Sequence, residues 1–128
     1  MTTAIRSLLL ASTDPDRLRA WYADAFGVAP DVDGHVTLGV AIIVVPRDDI
    51  ADRTVEPGRV LLNFHVPSIR DAAARMDELG APWVSAVEYR DAGLWFGTVE
   101  DPDGNYVQLI EETPQYAVLK EERAHAAG

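Results

Sequence analysis

Hydrophobic positions along the chain change period several times, and each change marks an element. Ile5 to Ser12 is a nearly continuous apolar run and predicts a strand buried on both faces. Asp14-Pro15 then supplies a helix N-cap followed by proline at the first helical position. Leu18, Trp21, Tyr22, Ala25 and Phe26 recur at helical spacing as one stripe that Gly27 can end. After a turn around Asp31-Val32-Asp33-Gly34, the pattern predicts two short strands, His35 to Leu38 and Ala41 to Val45, and then a polar linker from Pro46 to Gly58.

The second half repeats this grammar. Val60 to Val66 predicts a strand, and Ser68 caps a helix whose buried stripe is Ile69, Ala72, Ala73, Met76 and Leu79. Three strands follow, Pro82 to Glu88, Leu94 to Val99 and Asn105 to Glu111. The last two flank Asp101-Pro102-Asp103-Gly104, where proline presets φ and glycine supplies the left-handed residue, so they predict a hairpin. From Thr113 on, one helical turn near Tyr116 to Arg123 is expected before the tail frays.

Alternation within the strands sorts their faces. In the strand from Val60, the residues Leu62, Phe64 and Val66 belong under a helix, and Leu61, Asn63 and His65 on the opposite face. The last strand offers Tyr106, Gln108 and Ile110 to that same face, and the first strand offers Ser7, Leu9 and Ala11.

Composition narrows the function classes. A chain of 128 residues is read as one domain, and 48% hydrophobic with 25% charged residues describes an ordinary globular protein. The net charge of −10 argues against nucleic acid or an anionic membrane as partner. Cysteine is absent, which removes thiol chemistry. Leu8 to Ala11 is too short for a signal sequence, and no apolar run approaches the roughly 20 residues of a membrane span, so a cytoplasmic protein is expected.

The wording of the hairpin from Glu100 to Ile110, together with the helix Asp14 to Gly27 carrying Trp21-Tyr22, resembles the vicinal oxygen chelate superfamily of glyoxalases, bleomycin-resistance proteins and extradiol dioxygenases. The resemblance runs from Ile5 to Glu112. It implies an α+β fold of paired βαβββ modules, about residues 4–46 and 59–112 of a single domain 1–112, forming a cupped mixed sheet with helices outside and a tail at 113–128. It also implies where a metal would sit: the positions matching the family's ligands are Ser7, Val44, Leu61 and Gln108. Valine and leucine carry no donor atom, so the usual metal site is expected to be missing.

The expectation is therefore a metal-independent binder of an apolar or aromatic small molecule, similar to the bleomycin-resistance branch linked to antibiotic resistance and acting as a homodimer. Ser7, Asn63, His65, Trp95, Tyr106 and Gln108 are its candidate ligand-binding residues, with Trp95 and Tyr106 for stacking and the amides for hydrogen bonds. The alternative is a glyoxalase- or dioxygenase-like enzyme holding a divalent metal through displaced ligands such as His65, Gln108 and Glu88. A third class is a metal-free enzyme with His65 as general base. His35 is expected at the surface, and His125 in the tail carries no chemistry.

Overall fold

The computed structural model describes residues 2–90 and 93–127, so Met1 and Gly128, the ends of the expected layout, lie outside the described residues. The chain divides into two compact units. One comprises residues 1–57 with 101–105, the other 58–100 with 106–128.

The first unit contains β1 (Ser7–Ser12), α1 (Pro15–Phe26), β2 (Val36–Leu38) and β3 (Val40–Pro46), with sheet order β1-β3-β2. β1 runs parallel to β3, as a helical crossover requires, and β2 is antiparallel to β3. Helix α1 starts and stops where its caps dictate. The Asp14 carboxylate accepts from the Arg17 N–H, Pro15 occupies the first turn, and Gly27 closes the helix in the left-handed conformation. Leu18, Trp21, Tyr22 and Ala25 are its buried side chains, and Ile42, Val44 and Val36 are buried on the strands.

Two expectations fail here. β1 is buried on one face only: Leu9 remains 63% exposed while Ser12 is buried. A run such as Leu8-Leu9-Leu10 has no alternation from which its sidedness can be read. The stretch 46–58 is also no free linker. The Thr54 N–H donates to the Asp103 carbonyl at 2.8 Å, and its hydroxyl bonds the Asn105 side chain at 2.6 Å.

The second unit contains β4 (Leu61–His65), α2 (Ile69–Glu78), β5 (Trp83–Arg90), β6 (Leu94–Glu100), β7 (Tyr106–Glu112) and α3 (Pro114–Ala127). Its sheet order is β4-β7-β6-β5, with β4 parallel to β7 and the other pairs antiparallel. β6 and β7 form the expected hairpin. Ser68 caps α2 by accepting from the Asp71 N–H. Met76 of α2 and Val99, Val107 and Leu109 of the strands are all fully buried.

The tail is more ordered than expected. α3 spans four turns' worth of sequence and has no buried residue of its own, but its start is pinned. The Gly93 carbonyl accepts from both the N–H and hydroxyl of Thr113, and a Cβ at Gly93 (φ +138°) would stand 2.6 Å from the Tyr116 nitrogen. Among the described residues no helix is long and apolar enough to cross a membrane.

Candidate functional site

Register places three strands of the second unit side by side on the face away from α2. Leu61, Tyr106 and Glu100 form one row, Asn63, Gln108 and Thr98 the next, and His65, Ile110 and Phe96 the third. With strands about 4.8 Å apart, this is a patch roughly 10 Å across. Its middle row carries two carboxamides and a hydroxyl, and each neighbouring row contributes two apolar or aromatic side chains and one ionisable group. Among the described residues, no side-chain hydrogen bond to another protein group engages Asn63 or Gln108. Asn63, exposed on the edge strand β4, and Gln108, half-buried on β7 beside it, therefore present donors and acceptors that no side-chain hydrogen bond among the described residues occupies.

Ionisable residues stand at the ends of the outer rows, Glu100 in the first and His65 in the third, with more beyond them. His65 Nδ1 is 3.9 Å from Glu112 Oε1, and the imidazole is 60% exposed. On β5, Glu88 faces Phe96, and the Arg90 guanidinium sits 4.4 Å over the Phe96 ring while pairing with Glu88 at 3.2 Å. Phe96 and Thr98 were absent from the expected site. Counting the hairpin register outward from Gln108 would have found them, since Gln108 pairs with Thr98.

Of the six candidates, Asn63, His65, Tyr106 and Gln108 share this face. Trp95 does not. It pairs with Glu111, and with Val87 it borders α2, on the opposite side of the sheet from Gln108. Trp95 is offset by three positions along β6 from Thr98, the partner of Gln108, and an odd offset puts the two on opposite faces. Ser7 belongs to the first unit, on the open face of β1 beside Leu9 and Ala11.

The positions implied for a divalent metal do not fit one. Val44 is 5% exposed and lies on the buried face of β3 with Ile42, and Leu61 has no donor. Gln108 and Ser7 supply only weak oxygen ligands. Among the described residues, Asp31, Asp33 and His35 alone bring three ligand atoms within 4.8 Å. Their arrangement is that of a turn: one Asp31 carboxylate oxygen accepts the N–H groups of Asp33 and His35, each at 2.9 Å. Those bonds hold the Asp31 pKa below its usual range.

The first unit contains a heavily bonded polar group. Asp101, 2% exposed, accepts the N–H groups of Asp103 and Asn105 on one oxygen, and the Asn105 amide and the Tyr22 hydroxyl on the other, the last at 2.6 Å. Gly104 (φ +84°) returns its N–H to the Asp101 carbonyl and completes the expected turn. Burial raises the Asp101 pKa, opposed by the hydrogen bonds from Tyr22 and Asn105. Burial, followed by the charge of Asp101, lifts the Tyr22 pKa well above the usual tyrosine value. These bonds fix the turn.

The model of the family described as "Glyoxalase-like domain" matches residues 7–110. Among curated proteins none matches the sequence significantly. Solved structures share the fold at low identity. A glyoxalase/bleomycin resistance protein/dioxygenase family enzyme from Burkholderia phytofirmans PsJN superposes with a TM-score of 0.72 at 14% identity, covering 86% of this chain and 99% of that one. A genomically encoded fosfomycin resistance protein from Listeria monocytogenes gives 0.67 at 17%, covering 91% and 98%. A lactoylglutathione lyase from Agrobacterium tumefaciens gives 0.63 at 21%, covering 87% and 95%.

Proposed function

Since the chain belongs to the glyoxalase-like domain family of the vicinal oxygen chelate superfamily, we propose that it uses this fold to bind a small apolar or aromatic molecule without a metal ion. The observation that carries the reading is the middle row Asn63-Gln108-Thr98, polar at the centre of an otherwise largely apolar patch. A ligand laid across the rows buries apolar surface worth about 25 cal/mol per Å², and the amides orient it. Tyr106 supplies the aromatic contact on this face. Phe96, already beneath the Arg90 guanidinium, borders it.

The donor set supports metal independence: the positions implied for an ion carry valine, leucine, serine and glutamine. Fold neighbours range from a lyase to a fosfomycin resistance protein, and sequestration of a toxic compound is the activity that suits a pocket without a metal. In keeping with this reading, we propose that a second copy of the chain covers the open face, so that the protein acts as a homodimer.

A thermal-shift screen against bleomycin, fosfomycin and a panel of planar aromatic compounds tests this reading, joined to elemental analysis of untagged protein. A ligand at 100 times its Kd adds about 2.7 kcal/mol and raises Tm by several degrees. Stoichiometric nickel, zinc, iron or manganese that Gln108→Ala removes would overturn the proposal in favour of a metal-dependent enzyme.

A further inference from the structure

The opposite side of the same sheet has a groove that the proposed function leaves unused. It lies between α2 and strands β5, β6 and β7 and has a volume of about 620 Å³, within the range of pockets for drug-sized molecules. Its origin is local. Of the five α2 residues that line the groove, Ala73 and Ala74 add little side-chain bulk between Ile69 and Arg70 on one side and Asp77 on the other. On the sheet, Gly97 allows Val87 and Trp83 to close in, to 3.0 and 3.1 Å of where a Cβ would stand. Trp95 is left as the half-buried aromatic wall, braced edge-on by Tyr89 with ring centroids 5.0 Å apart.

The polar part of the lining is mainly acidic. Asp77 and Glu111 line the groove with a single cation, Arg70. Both carboxylates are held in place: Trp83 Nε1 donates to Asp77 at 2.8 Å, and the Ile69 N–H donates to Glu111 at 2.7 Å. Each is anchored through one oxygen and keeps a second. Neither belongs to a group of three metal-ligating atoms among the described residues, so an ion is not the matching occupant. A tryptophan face with preset carboxylates on an apolar floor matches an aromatic cation. The ring quadrupole attracts the charge, the carboxylates complement it, and the alanines admit a flat body. The net charge of −10 favours the approach of such a molecule and disfavours an anion.

We infer that the groove between α2 and strands β5, β6 and β7 is a second ligand site, selective for a planar organic cation. It is independent of the open face carrying Gln108.

Ethidium is a suitable probe, titrated into the purified, nucleic-acid-free chain and followed by its own fluorescence. Saturable binding is expected, weakened about tenfold by Trp95→Leu and severalfold by Asp77→Asn or Glu111→Gln. Ala74 is exposed on the helix, so Ala74→Leu fills the groove without touching the core and remains informative if Trp95→Leu fails to fold. It should also weaken binding about tenfold, while Gln108→Leu leaves ethidium affinity unchanged. The inference is overturned if ethidium does not bind, or binds Ala74→Leu as tightly as the wild type. It is overturned equally if a neutral phenanthridine binds as well, or if Gln108→Leu is the variant that loses affinity.

Discussion

Two polar clusters of this chain use similar side chains for opposite purposes. In the turn of the first unit, Asp101 is buried and accepts four hydrogen bonds, from Tyr22, Asp103 and Asn105. On the open face of the second unit, Asn63 and Gln108 stand in register, and among the described residues neither side chain is bonded to another protein group. A buried polar group with every partner supplied from within the chain stabilises the fold. One left unsatisfied on a half-buried face gains only when something else arrives. The difference separates residues that build the scaffold from residues that the proposed function assigns to a ligand.

The largest effect should come from removing the satisfied acceptor. Asp101→Ala strands the Tyr22 hydroxyl and two turn N–H groups, and urea unfolding should register a loss of about 3–5 kcal/mol. A loss below about 1 kcal/mol would mean that the turn does not depend on this carboxylate.

Tyr22→Phe tests the same cluster from the other side, with about 1–3 kcal/mol lost. It also carries a pH signature. The folded-state pKa of Tyr22 is raised, so the folded state holds the phenolic proton more tightly than the unfolded chain. Its contribution is fully present below the usual tyrosine value of 10.0 and is lost as pH rises from there through the folded pKa. Wild-type stability should fall in that alkaline window, and Tyr22→Phe should flatten the fall. Parallel alkaline profiles for the two proteins would contradict the assignment.

On the open face the order of effects reverses. Gln108→Leu should weaken the ligand found by thermal shift by about 1–3 kcal/mol, measured by calorimetric titration. His65→Gln should give the smallest effect, within about 0.5 kcal/mol in both stability and affinity, because the imidazole is largely exposed and its contact with Glu112 is long. Loss of a catalysed turnover in that variant would instead identify His65 as a general base.

The helices and the second-unit strands were legible because their signals are local. Asp14-Pro15, Gly27 and Ser68 mark helix ends through bonds spanning three to five residues. In β4 and β7, polar and apolar residues alternate cleanly, so their faces followed from parity. Trp95 was misplaced because β6 lacks that alternation: Leu94-Trp95-Phe96 is bulky at three successive positions, and only the pairing of Gly97 with Leu109 and Thr98 with Gln108 decides sidedness. Val44 failed for a related reason, as the segment before β3 fixes its register and no local pattern reveals it. The role of Asp101 was hidden by distance, since its Tyr22 partner lies 79 residues away. α3 was underestimated because its charged sequence has no apolar stripe, and its anchor is a glycine outside the helix.

The central claim is that Gln108 serves a ligand and Asp101 serves the fold. Urea unfolding of Gln108→Leu, with and without the thermal-shift ligand, tests it most directly. Without ligand, the variant should match wild-type stability to within about 1 kcal/mol, and with ligand it should lose most of the increment that wild type gains. A variant that is strongly destabilised alone yet keeps the full ligand increment would contradict the account.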